Sequence, residues 1–238
     1  MKSKIVISEM FVTQPRRGDM IVEGSVKAKE VLKRLKEHYP DVKKTALTFS
    51  NPIEILVATI LSAQCTDERV NKITPKLFVK YKKASDYASA DIKVFEQEIK
   101  SAGFYHNKSK NIIGACKIID EKHNGKVPDT MESLLTLPGV ARKTANVVLG
   151  NAFGIVDGIA VDTHVRRLSF RLGLSKNNSP EKIEQDLMKI FDRGDWFAVS
   201  NLLIEHGRKV CSASGTKKPD CKSCFLGDLC PMIEVSGN

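Results

Sequence analysis

Apolar residues recur every three or four positions along most of this chain, which is the period of an amphipathic helix. The first stripe consists of Ala28, Val31, Leu32 and Leu35. Because Pro40 follows it, we predict a helix that ends before that proline. Similar stripes predict helices over residues 67–73, 75–81, 91–101, 107–124, 163–172, 180–190 and 196–205. Outside the first 25 residues no alternation of period two is long enough for a strand, so we predict an all-α fold.

Residues 53–61 are apolar on every side and therefore show no amphipathic stripe. Asn51 is a good N-cap, Pro52 suits the first helical position, and Glu54 falls in the first turn. This capping pattern favours a buried helix that delivers Ser62-Ala63-Gln64 to its C-terminal end. Because the segment is rich in β-branched residues, a buried strand is the competing interpretation.

Two of the predicted helices meet at a glycine-containing turn. A short helix capped by Asp129 should end at Pro138-Gly139, and a second helix should start almost at once. Arg142 and Lys143 fall in the first turn of that second helix, where backbone N–H groups have no helical partners. Free amides beside two cations make a site for phosphate, which predicts a helix-hairpin-helix. An ordinary corner between two helices is the alternative.

The charge balance bears on the class of partner. The chain has 38 Lys and Arg residues against 28 Asp and Glu residues, a formal net charge of +10. Such a balance favours a polyanionic partner, because each cation that meets a phosphate releases condensed counterions. At 238 residues the chain can bury one large core or two modest ones. No apolar run is long enough to span a bilayer and no secretory signal pattern is present, so we expect a soluble, intracellular protein.

Four of the six cysteines crowd the last thirty residues. They are Cys211, Cys221, Cys224 and Cys230, separated by nine, two and five residues. Zinc and a 4Fe-4S cluster both accept four thiolates, and spacing alone slightly favours zinc. Disulfides are disfavoured inside a cell. Cys65 and Cys116 lie alone and are expected to be small core residues or near-surface thiols.

Three short motifs resemble the endonuclease III family of DNA glycosylases. They are Leu137-Pro138-Gly139-Val140-Ala141-Arg142-Lys143-Thr144, Ala160-Val161-Asp162-Thr163-His164 and Leu61-Ser62-Ala63-Gln64. The resemblance runs from about Lys27 to Pro231. One departure is Ala141, which stands where the family's hairpin usually has glycine. The turn would be strained there only if that position required a positive φ.

The resemblance implies two helical domains that flank a DNA-binding cleft. An interior domain containing the hairpin would span residues 45–156. A second domain, bearing the cysteines, would combine residues 26–44 with residues 157–231. Residues 1–25 show no clear element and lie beyond the resemblance, so we expect a loosely ordered N-terminal extension there. Lys143 would then come from one side of the cleft and Asp162 from the other.

The resemblance also implies that Lys143 is the nucleophile and Asp162 the carboxylate that assists it. A free lysine amine has a pKa of about 10.4, so presenting it neutral at pH 7 costs roughly 4.6 kcal/mol. We expect the positive end of the helix, adjacent Arg142 and partial burial to favour the neutral amine. Asp162 would stabilise positive charge on the sugar and move protons. The simpler alternatives are a phosphate-binding lysine and a helix-capping aspartate.

Further residues are implied to contact DNA. Gln64 would enter the space that a flipped nucleotide leaves, and Phe104 would be a wedge from the neighbouring loop, because chemistry on a base in a duplex requires taking it out of the stack. Either residue could instead be structural. In the hairpin, the expected DNA contacts are Leu137, Gly139, Val140, Ala141, Arg142 and Thr144.

For the four C-terminal cysteines the resemblance implies one 4Fe-4S cluster, with zinc as the alternative. The first gap between these cysteines is longer than in the family. The extra residues lie within positions 212–220 and include Lys217 and Lys218. We therefore expect a longer basic loop that contacts backbone phosphate.

Together these features predict a bifunctional DNA glycosylase and AP lyase of base excision repair. It would remove oxidised pyrimidines from duplex DNA through a lysine Schiff base and cleave the strand by β-elimination. We expect a monomer acting on damaged bases or abasic sites in the cytoplasm, at the nucleoid and away from membranes. One alternative is a glycosylase of the same fold with another base choice, such as mismatched thymine or uracil. Another is a non-catalytic DNA-binding module with a four-cysteine zinc site.

Overall fold

The regular structure of this protein is helical throughout the part of the chain that its computed structural model describes. That part comprises residues 17–42, 44–213, 219 and 221–231, with side chains from residue 24. The α-helices are α1 (Arg17–His38), α2 (Pro52–Leu61), α3 (Asp67–Lys80), α4 (Ala84–Ala88), α5 (Ile92–Ile99), α6 (Tyr105–Lys122), α7 (Met131–Leu135), α8 (Arg142–Val148), α9 (Thr163–Arg171), α10 (Pro180–Ile190) and α11 (Trp196–Lys209). Turns of 3-10 helix occupy Lys100–Ala102, Arg193–Asp195 and Gly227–Leu229, and a π-helical turn, Leu149–Phe153, extends α8. The all-α prediction is confirmed.

Two hydrophobic cores organise these helices. The first core gathers apolar side chains of α2 to α8, among them Leu56, Phe95 and Ile119. Helix α2 is buried along its whole length, from Ile53 to Leu61. This confirms the helix over the strand, and Asn51 accepts the hydrogen bond from the Glu54 N–H that the capping pattern predicts.

The second core combines the first described helix with the last three. Leu35 of α1 packs there with side chains of α9, α10 and α11, including Val165, Leu187 and Leu203. The chain thus builds the first core from residues between two segments that together form the second. Cys211, Cys224 and Cys230 pack at the edge of this second core.

Helix α3 corrects one prediction. The two short helices expected over residues 67–73 and 75–81 form one continuous helix with Pro75 inside it. A proline in a helix interior costs about 3 kcal/mol. Val70 and Ile73 before the proline and Leu77 after it are all buried in the first core. Burial of this apolar face, at roughly 1.5–3 kcal/mol for each side chain, offsets the proline.

Several helix ends also differ from the predictions. Helix α1 starts at Arg17, inside the expected N-terminal extension, whose residues 1–16 lie outside the described part. Helix α6 starts at Tyr105, two residues early, and α11 continues through Gly207 to Lys209. A side chain at Gly207 would lie 2.8 Å from the ring of His164, so this glycine permits close packing.

The short helix before the hairpin, α7, differs from its prediction in its N-cap. Its cap is Thr130, which accepts the Ser133 N–H, and not the expected Asp129. Leu134 is fully buried, whereas Leu135 is exposed, as is Ile92 at the start of α5. None of the helices that the structure describes combines the length and the apolar character needed to cross a membrane.

Candidate active site

The turn between α7 and α8 is closed by a backbone hydrogen bond from the Val140 N–H to the Leu137 carbonyl, 3.1 Å long. Gly139 lies within it with φ +77°. A Cβ there would also sit 2.8 Å from the Cβ of Asn111 on α6. The hairpin therefore needs glycine at this position for two independent reasons, its backbone angle and the close approach of α6.

Ala141 is the N-cap of α8, with φ −93° and ψ 171°. This extended conformation suits any residue, so alanine in place of the usual glycine causes no strain. An alanine methyl cannot accept a hydrogen bond, and α8 has no side-chain cap. The amides of its first turn, including that of Thr144, are thus left available for an anion.

Leu137 and Val140 do not present their side chains to a partner. Both are buried in the first core, at 2% and 7% exposure. Any contact of these two residues with DNA must therefore use the backbone. Ala141 is exposed and Thr144 is half-buried, so the accessible part of the hairpin is its turn and the start of α8.

Arg142 differs most from its expected role. Its Nε donates to Oε2 of Glu184 at 2.7 Å, and its Nη2 lies 3.7 Å from Asp157. The hydrogen bond to Glu184 raises the pKa of Arg142. With two carboxylates beside it, the guanidinium is largely neutralised locally, so it adds little to the repulsion expected at Lys143.

Glu184 makes this contact a bridge between the two cores. It is 5% exposed, and its other oxygen accepts the Nδ2 of Asn146 at 3.0 Å. Glu184 lies on α10 of the second core, whereas Arg142 and Asn146 lie on α8, which packs in the first. The bridge therefore fixes the hairpin's second helix against the second core.

Lys143 is half-buried at the start of α8. Among the described residues, no side chain, that of Asp162 included, forms a hydrogen bond or ion pair with its amine. Lys143 projects from a helix of the first core, and Asp162 precedes a helix of the second. The two candidate catalytic residues thus come from the two separate cores.

Asp162 is the N-cap of α9. One carboxylate oxygen, Oδ1, accepts the N–H groups of both His164 and Val165 at 2.8 Å. The capping role is therefore present. The second oxygen, Oδ2, has no hydrogen-bond partner within the described ranges and the residue is half-buried. One residue can thus cap its helix and still offer an oxygen to a ligand.

Gln64 and Phe104, the two residues expected to enter the DNA stack, share an unusual backbone. Both have positive φ, +52° for Gln64 and +47° for Phe104, and both side chains are exposed. The left-handed region costs about 1–2 kcal/mol for a residue with a Cβ. Phe104 is 62% exposed, so burial of its ring does not compensate for this strain.

The C-terminal cysteines lie close together beside two arginines of α9. Cys224 interacts electrostatically with Cys211, Cys221 and Cys230, while burial raises its pKa. Arg171 donates from Nη1 to the sulfur of Cys211 at 3.1 Å, and Arg167 donates to the Cys211 carbonyl at 2.9 Å. Thiols that interact with one another beside cations suit a group held by four thiolates.

The four sulfurs do not form a compact site for a single ion. Across residues 17–42, 44–213 and 221–231, no three histidine, cysteine, aspartate or glutamate side chains are arranged to hold one metal ion. Zinc requires all its sulfur ligands at about 2.3 Å from one point. A larger cluster tolerates a wider set of sulfurs. Lys217 and Lys218, expected in a phosphate-binding loop, lie outside the described residues.

Three polar residues that support the site escaped the sequence reasoning. Glu184 and Asn146 form the bridge to α8, and His206 is 2% exposed in the second core. His206 Nδ1 lies 3.1 Å from the Tyr39 hydroxyl, and its Nε2 lies 3.5 Å from the Cys224 sulfur. Burial lowers the pKa of His206 to about 4, so the ring is neutral at neutral pH. Each occupies an ordinary helix position, and only its partners in space distinguish it.

Known proteins resemble this chain over most of its length. The family model of HhH-GPD superfamily base excision DNA repair proteins matches residues 57–193. Endonuclease III of Synechocystis sp. is 54% identical over 210 residues, 88% of this chain and 94% of that protein. Endonuclease III of Escherichia coli (strain K12) is 42% identical over 211 residues, 89% of this chain and 98% of that protein. The solved structure of a trapped endonuclease III–DNA covalent intermediate matches with a TM-score of 0.85 and 41% identity, covering 90% of this chain and 99% of that one.

The hairpin geometry generates a matched pair of stability tests. Gly139→Ala should lower the free energy of unfolding by about 2–4 kcal/mol, because it adds both backbone strain and overpacking against Asn111. Gly154 has a similar φ of +68° but nothing within 4 Å of a Cβ. Gly154→Ala should therefore cost only about 1–2 kcal/mol. Equal losses for both variants in chemical denaturation would contradict the close contact with α6.

Proposed function

This chain belongs to the HhH-GPD superfamily of base excision DNA repair proteins and, within it, to the endonuclease III family, and we propose that it removes oxidised pyrimidines from duplex DNA and then cleaves the strand. The observation that carries this proposal is Lys143. Its amine has no side-chain partner among the described residues and lies at the start of the hairpin's second helix, in a chain similar to an enzyme trapped covalently on DNA. A non-catalytic binding module would not require that covalent chemistry.

The hairpin and the basic charge of the chain account for DNA binding in this proposal. The uncapped amides at the start of α8 bind a backbone phosphate near the lesion. The cleft between the two cores, as domains of residues 45–156 and of 26–44 with 157–231, receives the flipped nucleotide. Gln64 and Phe104 fill the space that it leaves in the stack. The protein acts in this way on chromosomal DNA, at the nucleoid.

Lys143 supplies the nucleophile. Its neutral Nζ attacks C1′ of the damaged nucleotide and forms a C–N bond, while the glycosidic bond breaks and its electron pair leaves with the base. Loss of a proton from nitrogen and opening of the sugar ring give a Schiff base. Removal of a C2′ proton then expels the 3′ phosphate by β-elimination, and water releases the lysine.

Asp162 assists from the opposite side of the cleft. Its Oδ2 is the oxygen not used for capping α9. A carboxylate there stabilises positive charge that develops on the sugar as the base leaves. The same oxygen accepts and returns the protons that pass through the lysine nitrogen.

We further propose that Cys211, Cys221, Cys224 and Cys230 hold one 4Fe-4S cluster. The interaction of Cys224 with the other three thiols and the arginine beside Cys211 suit a group held by four thiolates, and membership of the endonuclease III family favours the cluster over zinc. When bound, the cluster would supply cross-links that order the C-terminal segment against the second core, at a distance from the bond-breaking steps. Lys143 and Asp162 carry the chemistry without it.

Borohydride trapping tests the nucleophile. Wild-type protein incubated with a duplex containing one oxidised pyrimidine should give a covalent protein–DNA adduct on reduction. Lys143→Arg should give no adduct yet still bind the duplex, because arginine keeps the positive charge but is too strong a base to lose its proton and supply a neutral nucleophile. A phosphate-binding lysine would predict the reverse: adduct formation and turnover retained in Lys143→Arg. Absence of an adduct from folded wild type, on this lesion and on an abasic site, would exclude the lyase.

Asp162→Asn separates the two roles of that residue. Asparagine caps helices about as well as aspartate, so the melting temperature should change little. Loss of the charge should lower the rate of base excision by about 100-fold or more. Single-turnover kinetics and thermal denaturation measure the two effects. A large drop in melting temperature with a proportionate loss of activity would mean that Asp162 only caps α9.

The cofactor assignment has a spectroscopic test. The purified protein should be brown, with broad absorption in the blue and equal amounts of iron and inorganic sulfide. Cys221→Ser should lose this absorption, whereas Cys65→Ser, a half-buried cysteine of the first core, should keep it. A colourless protein containing one zinc ion per chain would overturn the assignment.

A further inference from the structure

Two exposed residues with left-handed backbones stand on neighbouring loops of the first core. Gln64 follows α2 and Phe104 precedes α6, with φ of +52° and +47°. Residues with a Cβ keep such strained backbone angles only when contacts with the surrounding structure hold them there. Since both side chains face solvent, the constraint must come from beneath the loops.

Lys108 lies beneath the Phe104 loop, one turn into α6. Lys108 is only 4% exposed, which is unusual for a lysine. Its Nζ donates a 2.9 Å hydrogen bond to the Ala102 carbonyl. Its backbone N–H donates to the Phe104 carbonyl at 3.1 Å. One residue thus binds the chain on both sides of Gly103, at the point where it turns into the left-handed Phe104.

The Gln64 loop follows α2, which packs against α6, the helix that carries Lys108. Burial lowers the pKa of Lys108, and Cys65, the residue after Gln64, opposes that shift electrostatically. Cys65 itself packs against the first core, and its N–H closes the loop by donating to the Ser62 carbonyl at 3.1 Å. Lys108 therefore holds the Phe104 loop directly, next to a Gln64 loop that is closed by its own backbone hydrogen bond.

We propose that Lys108 is a positioning residue: it holds the Phe104 loop in the shape that, together with Gln64, fills the gap left by a flipped nucleotide. This inference rests on the proposed function, because it concerns how that enzyme extrudes its substrate. Lys108 is buried and touches neither DNA nor the reacting atoms. Its influence passes through Ala102 and Phe104.

If Lys108 has this role, its loss should affect one step of the reaction, the extrusion of the nucleotide from the duplex. Extruding a nucleotide from a duplex requires unstacking and filling the gap, whereas an abasic nucleotide in a single strand needs neither. Loss of the Lys108 hydrogen bond should therefore impair excision from duplex DNA and spare β-elimination on a single-stranded abasic oligonucleotide. A residue needed only for stability would affect both reactions alike.

The test compares Lys108→Met with Lys117→Met. Methionine keeps the apolar stem and removes the amine, and Lys117 is an exposed lysine of the same helix, about 13 Å further along it. Lys108→Met should lose about tenfold or more in single-turnover excision from a duplex and stay within about twofold of wild type on the single strand. Lys117→Met should match wild type on both. 2-Aminopurine opposite the lesion should brighten less with Lys108→Met, because the gap is filled less well.

A double variant sharpens the result. In a Phe104→Ala background, Lys108→Met should cause little further loss of duplex excision, since the wedge that it positions is gone. Equal losses on duplex and single strand, full additivity with Phe104→Ala, or wild-type duplex activity would each overturn the proposal. If Lys108→Met does not fold, Lys108→Gln, which keeps an N–H donor of shorter reach, takes its place in the same comparison. Failure of the wild-type protein to excise from duplex DNA would instead refute the proposed function.

Discussion

The buried carboxylate of Glu184 is the contact on which the geometry of the site most depends. From the second core it binds Arg142 and Asn146, which lie on the helix that carries Lys143. Because the Glu184 carboxylate is buried, losing the half-exposed Arg142 would leave a buried charge without its partner, so this bridge resists separation of the cores. The placement of Lys143 relative to Asp162 is therefore a property of the contact between cores. Neither core determines it alone.

Backbone conformation sets the remaining geometry. Gly139 turns the chain between α7 and α8 where α6 leaves no room for a side chain, and Ala141 then begins α8 without a side-chain cap. At Gln64 and Phe104 the backbone is left-handed although neither residue is glycine. Strain of this kind at exposed positions is typical of places where a ligand binds, because the protein's own packing gains nothing from it.

The cysteine segment is integrated with the second core through polar contacts. Arg167 and Arg171 of α9 bind the backbone or sulfur of Cys211, and His206 of α11 links Tyr39 to Cys224. Asp162 caps the helix that carries both arginines. The proposed catalytic carboxylate and the proposed cluster ligands are thus attached to opposite ends of one short helix, α9. Order in the cysteine segment consequently supports the position of Asp162.

Features of the fold that depend on neighbouring residues alone can be predicted from the sequence. The periodic stripes, the Asn51-Pro52 cap and the turn at Gly139 each encode their element within a few residues, which is why the all-α fold, the buried α2 and the hairpin were predicted correctly. The resemblance in three motifs located the family. Predicted helix boundaries were wrong where burial of apolar side chains outweighed local conformational preference. Helix α3, for example, continues through Pro75.

Which polar groups form hydrogen bonds or ion pairs with each other can be read only from the tertiary structure. Arg142 looked like a free cation beside Lys143, but Glu184, 42 residues away, binds it. Lys108 and His206 occupy ordinary helix positions in the sequence, and only the fold shows that both are buried. Local sequence encodes backbone conformation because neighbouring residues set it. It does not encode the partner of a buried charge, since that partner comes from a distant segment and is brought there only by the packing of the two cores.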